Sequence, residues 1–170
     1  YPWYAPADGE EILQDVIIDA CPVFSPLVDF AEENEVASLY WEERDIIVLS
    51  QSCDLVKGRE NVQQVLVCAL WRLSDLTSGH LSTPKGLEDA RRGNLPGFHM
   101  LAESDVQDFE REVRIVDFHY IWTLPVEYLR RRLAQAIHLC LLSPYREHLS
   151  QAFARYFMRV GLPLDIPNFK

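Results

Sequence analysis

Long apolar runs, paired metal-ligand spacings and internal repeats are all missing from this 170-residue sequence. Uncharged apolar stretches such as Ile46 to Ser52 fall far short of the ~20 residues a membrane-spanning helix requires. Cys21, Cys53, Cys68 and Cys140 are widely separated, with no Cys-x-x-Cys pair. That excludes a zinc ribbon and a dense disulfide scaffold, and it fits a reducing compartment. No His-x-x-x-His occurs among the five histidines, so no paired zinc spacing is written here. Tyr1-Pro2-Trp3-Tyr4 supplies neither the basic nor the apolar region of a signal peptide, although a start at Tyr1 instead of Met leaves trimming open. The expectation is a cytoplasmic protein with no membrane span, no metal and no cofactor.

What is present is a chain with 48% apolar residues, enough for one well-buried domain over 1–170. Its net charge of −10 is unevenly spread. Residues 1–110 hold 7 Lys and Arg against 21 Asp and Glu, a balance of −14, while residues 111–170 hold 9 against 5, a balance of +4. An acidic body repels phosphate and disfavours RNA as a partner. It favours a protein partner, with the basic tail docking on its own acidic body.

Apolar density predicts strands at Ile12–Ile18, Val36–Trp41, Ile46–Ser50, Gln64–Trp71, Phe98–Leu101 and Val113–Phe118. Ile46–Leu49 and Val65–Cys68 lack alternation, so both read as central strands buried on two faces, joined by a turn at Gly58. Residues 74–97, with Gly79, Pro84, Gly86, Gly93 and Pro96, read as a loop insertion holding a short helix near Gly86–Arg92. The period then becomes helical. Val126, Leu129, Leu133, Ile137 and Cys140 form one stripe after Pro125. Leu149, Phe153, Phe157 and Val160 lie on a second helix that opens at Ser143-Pro144 and stops at Gly161. The predicted architecture is α+β: a small twisted β-barrel over 9–120 with two amphipathic C-terminal helices layered on it across 125–161.

The succession Gly9-Glu10-Glu11-Ile12, then Arg44-Asp45-Ile46-Ile47-Val48-Leu49-Ser50, then Val65-Leu66-Val67-Cys68 resembles the PemK/MazF family of toxin endoribonucleases over residues 9–72. The resemblance implies an SH3-like barrel, a homodimer and a catalytic role for the strand-opening Arg44. The sequence departs from the family pattern at Asp45, which replaces its proline, and after the second strand, where Ala69-Leu70-Trp71 offers no hydroxyl before Ser74. Gln14-Asp15-Val16, Ser50-Gln51-Ser52-Cys53-Asp54-Leu55 and Ser143-x-x-Arg146 also resemble the signatures of a bacterial family of similar length, a resemblance that implies no particular activity.

Three functions compete. The first is a regulatory or protein-interaction module of the toxin-like barrel class without efficient catalysis. The second is an endoribonuclease in which Arg44 stabilises charge on phosphorus, flanked by Glu42, Glu43 and Asp45. The third is a thiol- or metal-dependent hydrolase at Cys53 and Asp54, which needs a base from His80, His99 or His119. Gln51 and Ser52 beside the thiol, and the cluster Arg130-Arg131-Arg132, are the candidate binding residues. On a helix the three arginines fan over about 200°, so they cannot share one face.

Overall fold

A computed structural model describes residues 1–7, 9, 11–26 and 39–158. Seven strands form one antiparallel sheet in the order β1 (Tyr4–Ala7), β7 (His138–Leu141), β2 (Val16–Pro26), β3 (Leu39–Val48), β4 (Gln64–Arg72), β6 (Arg114–Pro125), β5 (Phe98–Leu101). Three helices complete it: α1 (Pro84–Arg91), α2 (Val126–Leu133) and α3 (Tyr145–Phe157). The chain is therefore α+β, as its pattern predicts. The sheet does not close into a barrel, because β1 and β5 stand at opposite edges with a single strand partner each among the described residues.

The central pairing is the one the apolar runs predict. Ile46 lies opposite Ala69, Ile47 opposite Cys68 and Val48 opposite Val67. Alternate side chains enter two cores. Ile46, Val48, Val65 and Val67 join Leu129 and Leu133 of α2. Ile47, Leu49, Cys68 and Leu70 join Val116, Phe118 and Leu149, the last from α3. A smaller cluster of Leu81, Ala90 and Ile115 anchors the 74–97 insertion. Its helix α1 begins as the Thr83-Pro84 pair dictates, with Thr83 Oγ1 accepting the Gly86 N–H at 3.0 Å.

Four elements differ from the sequence expectation. The helical stripe through Cys140 ends at Leu133, Ile137 is half exposed, and His138–Leu141 is a strand between β1 and β2. Four residues are too few to display a period of two, and the backbone hydrogen bonds of two flanking strands outweigh the helical spacing. The first predicted strand begins later, at Val16, and continues through Cys21-Pro22. It does so across a bulge between Ile18 and Cys21, where Ala20 adopts φ 48°. Residues Leu39–Val48 form one strand instead of two, and the part of the expected strand at 36–38 lies outside the described residues. The opening segment, to which the sequence pattern assigns no strand, forms one: Tyr4 is buried in β1, and Trp3 stacks on Tyr145 with centroids 3.6 Å apart.

Candidate functional site

Three signatures far apart in sequence meet at the end of β3. The Gln14 backbone N–H donates to Ser52 Oγ at 2.7 Å, and Gln14 Nε2 donates to Ser150 Oγ at 2.8 Å. Ser150 Oγ in turn donates to the carbonyl of Arg146 at 3.1 Å. Beside them, Asp15 takes a left-handed conformation, φ 67°, that lets its N–H reach the Val48 carbonyl at 2.8 Å. The Leu141 N–H donates to the Asp15 carbonyl at 3.3 Å, which ties β7 to the same point. The Asp15 side chain is fully buried, and neither carboxyl oxygen has a hydrogen-bond partner among the described residues. Burial pushes its pKa up to about 7, opposed by Arg146 and reinforced by Glu147. Asp15 was not singled out from the sequence. Its signal was a lone carboxylate set inside the apolar run Ile12–Ile18.

Cys53 lies outside this buried knot, on a short 3₁₀ turn over Ser52–Asp54, and is exposed. Its thiol approaches the Gln51 side-chain oxygen at 3.6 Å. Asp54 accepts from Asn61 Nδ2 at 3.3 Å, closing the turn around Gly58. The histidines are engaged or placed elsewhere. His80 pairs with Asp89 at 3.4 Å and His119 with Asp117 at 2.6 Å, while His99 and His148 line a cavity beside β5. No group of three His, Cys, Asp or Glu among the described residues could hold a metal ion.

Arg44 is placed in an aromatic strip. Its guanidinium lies 4.8 Å from the centre of the Trp71 ring and pairs with Glu42 at 2.7 Å. Trp71 meets Tyr120 edge to face at 5.8 Å, and Tyr120 lies 6.4 Å from Trp122. The Trp122 indole N–H donates to Ser25 Oγ at 3.3 Å, and Ser25 lies opposite Tyr40 in the β2–β3 register. Tyr40 and Tyr120 are 54% and 49% exposed, so the strip faces solvent. Next to it a cleft of about 490 Å³, lined by Trp71, Asp75, His80, Asp117 and Tyr120, separates the sheet from the 74–97 insertion. The Asp117 carboxylate accepts from the Trp71 indole at 3.1 Å and fixes that ring.

The three arginines of α2 divide as helical geometry requires. Arg130 is buried, pairs with Glu60 and with Glu127 (2.7 Å), and donates to the Leu55 carbonyl at 3.2 Å. Arg131 is exposed and donates to the Glu127 carbonyl at 3.2 Å, whereas Arg132 reaches the Ala20 carbonyl at 3.1 Å. This part of the basic tail docks on the chain's own acidic half. No helix among the described residues is long and apolar enough to cross a membrane.

The fold and these sites define an α+β protein built on an open antiparallel sheet. No protein-family model matches the chain, and no curated protein matches it.

Proposed function

We propose that this protein is a regulatory protein-interaction module of the bacterial cytoplasm, without efficient catalysis, that docks an extended basic segment of a partner protein. The observation that carries the proposal is the strip of exposed Tyr40 and Tyr120 and half-buried Trp71 and Trp122 beside a cleft lined by Asp75 and Asp117. Rigid aromatic rings offer large contact area at low conformational cost, and they are the usual floor for extended peptides. Asp75 and Asp117 in the cleft suit a lysine or arginine side chain carried by that segment.

Kinship with PemK/MazF barrels stays part of the proposal as ancestry, supported by the adjacency of β3 and β4. Against an endoribonuclease, Arg44 is already held by Glu42 and Trp71, and the surrounding carboxylates repel a phosphate backbone. The test is titration of arginine- and proline-bearing peptides followed by tryptophan fluorescence, with a single-stranded RNA oligonucleotide as the counter-probe. Saturable peptide binding that weakens at least tenfold in Tyr120→Ala supports the proposal. RNA cleavage by the wild type that Arg44→Ala abolishes would overturn it in favour of the nuclease. A concentration-dependent dimer broken by Tyr120→Ala would instead make a second copy of this chain the occupant.

A further inference from the structure

On the opposite side of the insertion, a cavity of about 630 Å³ opens between α1, the edge strand β5 and α3. Its lining differs from the rest of this acidic chain. Arg91 and Arg92 come from the end of α1, Arg155 and His148 from α3, and His99 from β5. No carboxylate lines it among the described residues. Arg91 and Arg92 share the single carboxylate of Glu88, at 2.7 and 2.5 Å, so two guanidiniums are balanced by one acid. Arg155 has no ion-pair partner among the described residues. The His99 Nε2 is buried with no hydrogen-bond partner among the described residues. A buried imidazole nitrogen left unpaired is costly unless something else meets it. Apart from Gln151 the remaining wall is mainly apolar, with Leu95, Pro96, Phe98 and Met100.

We propose that this cavity binds an organic phosphate, with the phosphate group among Arg91, Arg92 and Arg155 and a flat apolar body against Leu95, Phe98 and Met100. The volume lies within the ~300–1,000 Å³ range of small-molecule sites, and three guanidiniums match the forked, bidentate geometry that phosphate oxygens prefer. His99 supplies a neutral ring nitrogen to the bound group. Burial, together with His148 and Arg155, lowers its pKa to about 4, so it carries no charge at neutral pH. The site uses none of the four rings of the aromatic strip, although Leu95 and Phe98 line both this cavity and the cleft beside that strip.

Isothermal titration of the full chain with adenosine 5′-monophosphate and with phenyl phosphate tests the assignment, with adenosine and inorganic phosphate as half-ligands. The expected result is saturable binding of at least one phosphate ester, at least tenfold tighter than either half-ligand. Arg155→Ala, on the exposed side of α3, should weaken that binding at least tenfold while leaving the circular dichroism spectrum unchanged. Glu88→Gln frees Arg91 and Arg92 and should tighten it several-fold. Absence of saturable binding by both esters at millimolar concentration overturns the proposal. Binding that is indifferent to Arg155→Ala, or weakened by Glu88→Gln, overturns it as well.

Discussion

Asp15 and Arg146 face each other at 3.8 Å without a hydrogen bond between them. Arg146 spends an Nη2 donor on the Leu141 carbonyl at 3.1 Å, so its charge lies near the carboxylate while its donor geometry serves β7. The carboxylate is the more deeply buried partner, and desolvation outweighs the nearby cation.

That imbalance predicts a pH dependence of stability. The folded pKa of Asp15, about 7, lies above its ordinary value of 3.8, so the folded state holds this proton more tightly than the unfolded chain. Asp15 therefore carries no ionisation penalty below pH 4, and that penalty grows as pH rises from 4 to 7. The full penalty, on the order of a few kcal/mol, is reached above pH 7. Asp15→Asn keeps the size and tolerates the left-handed backbone. It should be more stable than wild type in urea unfolding at pH 8, with the difference shrinking toward pH 4.5. A constant difference across that range would deny the carboxylate its assigned burden.

Leu149 and Phe157 belong to one sequence stripe but sit in different environments. Leu149 is wholly buried under the sheet, whereas Phe157 is 57% exposed. Leu149→Ala should cost ~2–5 kcal/mol and Phe157→Ala less than ~1 kcal/mol. Chemical denaturation of the two variants gives the comparison directly. Equal losses would place Phe157 against a surface that the described residues do not supply.

The four cysteines should separate cleanly by accessibility. Cys53 is exposed, while Cys21, Cys68 and Cys140 are buried. Burial pushes the thiols of all three upward, and Cys68 also donates to the Asp117 carbonyl at 2.8 Å. Under limiting iodoacetamide, mass spectrometry should find Cys53 alkylated first and the others only on unfolding. Cys53→Ser should change stability by no more than ~0.5 kcal/mol, as expected for an exposed site with one weak contact.

Neighbouring arginines of α2 should behave unequally. Removing Arg130 strands the Leu55 carbonyl and leaves Glu60 and Glu127 without their shared cation. Removing Arg131 forfeits one exposed contact to a backbone oxygen. Arg130→Ala should lower the melting temperature clearly more than Arg131→Ala. The reverse order would mean that the charge cluster acts through its exposed members.

How legible the fold was depended on how local its causes are. Ile46–Leu49 and Val65–Cys68 announce themselves because a strand buried on both faces must be apolar at every position. Residues 114–125 were harder. The apolar signal of β6 stops at Phe118, where a register shift passes across His119 and Tyr120 before pairing resumes at Ile121. His138–Leu141 could not be read, since its strand character comes from neighbours more than a hundred residues away. The motif Ser50–Leu55 drew attention to Cys53 and Asp54 as chemistry. Its hydroxyls instead serve the fold, Ser50 accepting the Leu66 N–H and Ser52 the Gln14 N–H, and no spacing rule links positions 14, 52 and 150.

The place of β7 between β1 and β2 orders events during synthesis. A ribosome has made β2, β3 and β4 long before it reaches His138, and until then one side of β2 and all of β1 lack the strand that joins them. Such late, long-range closure slows folding and leaves a sticky backbone edge on the unfinished chain. A nascent polypeptide ending before His138 therefore leaves β1 and one edge of β2 without the strand that covers them.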